Sequence, residues 1–247
     1  MQFVPVFGSS HDPSIFKGST LVLPTTSAGM SSNIAADLFV MNEGAIKVGY
    51  LRSAMISPMV QNDVLSVEGA PPGQMQMPVE VFVSQDKRYT FFIFRSGIVG
   101  GKMLEFGQVF TAFVGSLGFT DIKILTATVS PFKRERESNR QIPEVFAYAN
   151  NTLYQSYAQS GKNYYEAHQI RKFGWWLADC KRKPHQELSE LMGSGAAKKL
   201  LKMFDKNSIP VSLFIIFTPG GIDFVGGYTY YFFLKQNFGA NGQPVDG

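Results

Sequence analysis

Hydrophobic and polar positions fall into two rhythms along the chain: short continuous apolar runs of strand length, and longer stretches with helical spacing. Gly18 to Pro24 is an apolar run bounded by glycine and proline, and the small polar residues Thr25 to Ser32 lead from it into a helix-like stretch, Asn33 to Met41. Asn42-Glu43-Gly44 stops that helix, and Ala45 to Leu51 reads as a second strand, so the segment has the length of a βαβ crossover and predicts parallel strands. Val79 to Ser84 and Arg88 to Arg95 are β-rich runs joined by the polar Gln85-Asp86-Lys87, which predicts a hairpin inserted in the sheet and makes the sheet mixed.

From Lys102 to Leu117 the apolar positions Met103, Phe106, Val109, Phe110, Phe113 and Val114 share one broad helical face. Gly118 closes that helix before the strand Asp121 to Thr128, a further βαβ step. Residues 130–143 are polar, charged and closed by Pro143, the pattern of a long exposed loop. Glu144 to Asn150 reads as a strand, Tyr164 to Asp179 and Ala196 to Asp205 as helices, Val211 to Thr218 as the last buried strand, and Phe224 to Gln236 as a closing helix. Strands alternating with helices over the whole length give an α/β chain: a single three-layer α/β/α domain spanning residues 1–247, with a mostly parallel mixed sheet.

Composition narrows the function classes. Over 247 residues, 45% are hydrophobic and only 17% charged, too apolar for a disordered regulator. The most apolar run, Val211 to Phe217, covers about a third of the ~20 residues of a membrane-spanning helix, so it reads as a buried strand and no membrane partner is expected. Met1 to Val6 lacks the basic and apolar segments of a secretory signal, and no export is expected. The single cysteine, Cys180, excludes an internal disulfide and any multi-thiolate zinc site, which points to a reducing, cytoplasmic or nuclear setting. The net charge of +4 is concentrated after residue 130, where Lys133-Arg134-Glu135-Arg136 and Lys181-Arg182-Lys183 read either as nucleic-acid or import patches or as solvated loop and helix ends. No nucleic-acid motif accompanies them, so no nucleic-acid partner is expected.

Catalytic and cofactor motifs fail one after another. Gly100-Gly101-Lys102 resembles the end of a phosphate loop, but Ser96 stands where its first glycine belongs and Met103 where a magnesium-binding hydroxyl belongs. Gly193-Ser194-Gly195 before a helix offers either an anion cradle or a tight turn, and Lys198 occupies the third glycine position of a dinucleotide fingerprint. Gly115-Ser116-Leu117-Gly118 has the wrong spacing for a nucleophile elbow. His11, His168 and His185 are scattered, and Cys180 has no histidine placed beside it. The expectation is therefore no catalytic residue, no metal and no cofactor.

Apolar residues also occur where turns are expected. Ala54-Met55-Ile56-Ser57-Pro58-Met59-Val60 directly follows the second strand, and such a loop either covers the domain's own core or meets another protein. The run Tyr228-Thr229-Tyr230-Tyr231-Phe232-Phe233 leaves the same two options for the closing helix, deep burial or a face shared with a partner.

The order of these segments resembles the proteasome assembly chaperone 2 family. The resemblance is carried by Leu21-Val22-Leu23-Pro24, Ser27-Ala28-Gly29 and Ile34-Ala35-Ala36-Asp37-Leu38. It is strongest at Ile46-Lys47-Val48-Gly49-Tyr50 followed by Ile56-Ser57-Pro58-Met59-Val60-Gln61-Asn62, and returns at Gly193-Ser194-Gly195-Ala196-Ala197-Lys198-Lys199-Leu200 before the last strand. It implies a phosphorylase/hydrolase-like α/β/α fold used as a binding module and not as an enzyme. It further implies a heterodimer with proteasome assembly chaperone 1 that binds proteasome α-subunits, promotes correct α-ring formation and blocks premature ring pairing.

Two departures stand out. The chain ends Gln243-Pro244-Val245-Asp246-Gly247, with Asp246 where the family's tail-docking tyrosine belongs, and the loop Thr218 to Asp223 is less acidic than the family's. The interface candidates are Tyr50, Pro58, Met59, Val60 and Asn62, which leave the second strand in contact-prone side chains. The competing expectation is a small-molecule phosphorylase or hydrolase on the same fold, with its ligand at the glycine-rich loops Ser27 to Asn33 and Gly193 to Gly195.

Overall fold

The structure is a computed structural model that describes residues 1–6, 12–62, 75–129, 145–164, 171–172, 193–218 and 221–238. Among the described residues the strands are β1 (Gln2–Pro5), β2 (Thr20–Pro24), β3 (Ile46–Arg52), β4 (Gln61–Asn62), β5 (Met75–Gln76), β6 (Val79–Val83), β7 (Tyr89–Phe94), β8 (Ile122–Thr128), β9 (Val145–Ala149), β10 (Arg171–Lys172) and β11 (Val211–Phe217). The α-helices are α1 (Ser31–Asn42), α2 (Met103–Ser116), α3 (Asn151–Gln159), α4 (Ala197–Lys206) and α5 (Phe224–Phe238).

Nine strands form one sheet in the order β1-β3-β6-β7-β2-β8-β11-β9-β10, while β4 and β5 make a separate two-stranded ribbon. Parallel pairing holds the centre, β7-β2-β8-β11, and antiparallel pairs flank it. The β6–β7 hairpin is inserted between β2 and β3, so the two strands joined by α1 run in the same direction without touching. The parallel crossover and the hairpin read from the sequence are thus both present, and their combination makes the sheet mixed.

Helices cover both faces, and the central strands are accordingly buried along nearly their whole length, β8 (IKILTAT) entirely so. On one face α2 and α4 supply Phe106, Phe110, Val114, Leu200, Leu201 and Phe204 to a core that includes Leu21, Ile124 and Leu213. Phe106 and Phe110 stack at 5.2 Å, and Gly107 lets α4 approach so closely that a Cβ there would lie 2.0 Å from the Met203 sulfur. On the other face α1 and α5 pack Ala35, Ala36, Phe39, Tyr230 and Leu234 against Val22, Phe91, Leu125 and Phe214.

One expectation is corrected. Arg171 and Lys172, inside the stretch read as a helix from Tyr164 to Asp179, form β10 and pair in parallel with Phe146 and Ala147 of β9. An edge strand's unpaired N–H and C=O groups are a strong template, and tertiary pairing there overrides a local helical rhythm. The expected loop at 130–143 lies outside the described residues, as do His11, His168, Cys180 and His185. Among the described residues, no helix is long and apolar enough to cross a membrane.

Candidate interaction surfaces

In open α/β sheets ligands bind in the crevice beyond the carboxyl ends of the parallel strands. Here that crevice is occupied by the chain's own polar groups. Thr25 at the end of β2 donates its hydroxyl to the Leu125 carbonyl at 3.0 Å, and Ser32 donates to the Thr25 carbonyl at 2.8 Å. The Ser27 hydroxyl accepts from the Ala127 amide at 2.9 Å, and Thr126 donates to the Ser194 carbonyl at 3.1 Å. The two glycine-rich loops considered for a ligand clasp one another, the Ala28 amide donating to the Gly193 carbonyl at 2.9 Å.

Glycine serves contact here. Gly195 sits at φ +56°, and a Cβ on it would fall 1.9 Å from the Thr26 carbonyl oxygen. The Asp223 carboxylate caps α5 by accepting from the Gly226 amide at 2.9 Å, while its own amide donates to the Gly29 carbonyl. Beside the clasp a cavity of about 260 Å³ opens between the Ser96–Gly101 loop and the start of α4, and among the described residues Lys199 is the one titratable side chain lining it. That is below the roughly 300 to 1,000 Å³ of small-molecule sites. Lys102, the lysine of the phosphate-loop fragment, is exposed and paired with Glu105 at 2.8 Å.

The same end of the sheet gathers exposed apolar side chains. Met30 precedes α1, Val60 follows β3, Met75 and Met77 precede β6, Leu104 opens α2, and Ile222, Phe224 and Val225 open α5. The sheet direction brings each of these to the carboxyl ends of the central strands. The loop after β3 is divided in use. Ile56 is buried and bridges Ile98, and the flanking Ser57 amide and Met55 carbonyl bond to Gly97 and Val99. Pro58 and Val60 are exposed, Val60 to 62%, and Met59 is half-buried. The first half covers the core and the second half is open surface.

Of the remaining candidates, the Asn62 backbone pairs with Met75 in the β4–β5 ribbon, and Tyr50 lies half-buried in β3 opposite Glu80 of β6. Glu80 belongs to a buried ion network missed in the sequence. Lys47 reaches it at 2.7 Å and Arg95 at 3.0 Å, and Arg95 also holds Asp37 of α1 at 2.6 Å. Burial opposes the Arg95 charge, but the Asp37 and Glu80 carboxylates outweigh it and raise its pKa. Sequence proximity gave no signal, because Asp37 lies in α1, Lys47 in β3, Glu80 in β6 and Arg95 just after β7.

The second feature missed is the division of α5. Its inner face is core: Tyr230 donates its hydroxyl to the Thr126 carbonyl at 2.6 Å, and burial pushes its pKa well up. Gly226 and Gly227 bring the helix against α1, where a Cβ on Gly227 would meet Ile34 at 2.5 Å. The opposite face carries Phe224, Val225, Tyr228 and Phe232, all exposed. The aromatic run is therefore divided, one face buried in the core and the other exposed.

No family model matches the chain. Among curated proteins it is 24% identical over 245 residues to proteasome assembly chaperone 2 of Nematostella vectensis, covering 95% of this chain and 94% of that protein. With the Danio rerio protein of the same name the identity is 29% over 124 residues, about half of each chain (49% and 47%). Among solved structures, Pyrococcus furiosus PbaA, described as an archaeal homolog of proteasome-assembly chaperone, superposes with a TM-score of 0.65 at 12% identity, over 93% of this chain and 86% of that one. In sequence over nearly its whole length, this chain resembles proteasome assembly chaperone 2, and in fold it matches a homologue of such chaperones.

Proposed function

We propose that the chain is a non-enzymatic chaperone of proteasome assembly, acting with proteasome assembly chaperone 1 as a heterodimer on the α-ring in the cytoplasm and nucleus. The observation that carries this reading is the end-to-end similarity to proteasome assembly chaperone 2. The self-filled crevice supports it, because the loops a phosphorylase or hydrolase would use are bonded to each other. Binding alone suffices for the work. A chaperone that prefers surfaces present in an unfinished ring stabilises that intermediate and obstructs competing contacts, with no chemistry needed. The open half of the loop after β3, Pro58 to Val60, with Met75 and Met77, is the surface assigned to the proteasome subunits.

The test is an affinity capture of the tagged full chain from its own cell extract at physiological salt, with mass spectrometry of what is recovered. A second chaperone subunit together with α-subunits, and few mature β-subunits, is the expected result. Recovery of neither would refute the proposal and return attention to the cavity beside Lys199.

A further inference from the structure

The outer face of α5 has no role in the crevice or in the loop after β3. Phe224, Tyr228 and Phe232 recur at i, i+4 and i+8 and are 61%, 52% and 64% exposed. Val225 (57%) lies beside them, and Ile222 (65%) and Met30 (48%) extend the patch at the head of the helix. Met30 is held there because the Asp223 amide donates to the carbonyl of the adjacent Gly29 at 2.9 Å. From the assembly reading above, and resting on it, we propose that this face is where a second folded α/β/α subunit docks.

Three observations favour such an occupant. At about 150 to 250 Å² per large side chain, the six exposed residues offer roughly 650 Å², within the 600 to 1,000 Å² each partner gives to a standard interface. The patch is a helix face and not a groove, since α1 is packed tightly alongside through Gly226 and Gly227. A short peptide needs a groove, whereas another helical layer can bury a protruding stripe. The patch also has the make-up of an interface, apolar at its centre and bordered by Thr229, Lys235 paired with Glu43 at 3.4 Å, and Gln236.

Position adds a fourth argument. Helix α5 packs on β11 and β9, while the loop Pro58 to Val60 leaves β3, five strands away from β11 in the sheet. At about 4.8 Å per strand the helix and the loop stand roughly 24 Å apart across the sheet, with Met30, after β2, at the near edge of the patch three strands from β3, so one subunit can hold a partner and a proteasome surface together.

The experiment measures binding of full-length wild type, Phe232→Lys and Tyr228→Lys to the recombinant form of the chaperone subunit identified by the capture above. Each variant should bind about 30-fold or more weakly, the loss expected at a central aromatic anchor. Both should keep the wild-type melting curve, because neither side chain is buried, and Val60→Asp should keep wild-type affinity for the subunit. Binding of both variants within threefold of wild type overturns the inference and leaves the assembly reading intact. So does a wild-type homodimer that Phe232→Lys dissolves while subunit affinity is unchanged. A wild-type chain that recovers no second chaperone subunit overturns the assembly reading itself.

Discussion

Replacing Arg95 with methionine should cost the fold about 3 kcal/mol, at the lower end of the 3 to 5 kcal/mol for breaking a buried ion pair. The Arg95 side chain is 5% exposed and bridges Asp37 on α1 and Glu80 on β6 at 2.6 and 3.0 Å. Its removal turns two cations and two anions into one cation and two anions. Asp37, 18% exposed, can recover some hydration; Glu80, at 0%, has only Lys47 of these partners at 2.7 Å to offset its charge. For a chain of this size, at about 3 °C per kcal/mol, the melting point should fall by roughly 10 °C. Urea unfolding followed by circular dichroism measures the loss, and an unchanged slope shows that the unfolded ensemble has not shifted. The double variant Arg95→Met with Glu80→Met should regain most of the stability, because it removes the stranded carboxylate as well. A loss below about 1 kcal/mol for Arg95→Met, or a double variant less stable than the single, would show that Arg95 does not hold Glu80 in this way.

Three further outcomes are expected. Gly195→Ala must lose the clasp between the two glycine loops, since its Cβ meets backbone at φ +56°; it should cost more than about 2 kcal/mol in thermal melts, against almost nothing for Gly97→Ala, where a Cβ meets open space. Asp86 in the β6–β7 turn is raised by partial burial, but hydrogen bonds from Ser84 and Arg88 outweigh this and hold its carboxyl below the usual range. Its contribution is present above the ordinary carboxylate pKa of about 4 and lost as the pH falls through the lower folded value, so the gap between wild type and Asp86→Asn, about 0.5 kcal/mol at neutral pH after solvent screening of this partly exposed group, should close as the pH falls below the ordinary carboxylate range. Val60→Asp should leave the melting point unchanged while lowering recovery of proteasome α-subunits in the capture experiment, and undiminished recovery would detach that loop from the proteasome.

Much of the fold was legible because its elements carry strong local signals. Continuous apolar runs marked β2, β8 and β11, helical spacing marked α2, and the Gln85-Asp86-Lys87 turn marked the hairpin. The misses share a cause: their structure is fixed by a remote partner. β10 exists through its pairing with β9, and β4 through Met75 and Gln76 of β5. Helix α3 has one fully buried apolar residue, Leu153, and depends on the Asn150 side chain accepting from the Leu153 amide at 3.0 Å. The loop after β3 could not be divided from its sequence, because contacts with the remote Ser96 to Val99 segment, the bridge from Ile56 to Ile98 among them, separate core cover from surface.

The aromatic helix carries the same argument to the surface. A helix apolar on every side has no preferred direction, so its composition states that two faces are needed without saying which is internal. The two glycines decide it: Gly226 and Gly227 are the positions where α1 comes too close for a side chain, and they therefore fix the inward face. Phe224, Tyr228 and Phe232 are then left opposite, on the exposed side of the helix. A fold whose crevice is filled by its own serines and threonines, yet which keeps large aromatic side chains in water, is the arrangement the docking proposal above requires.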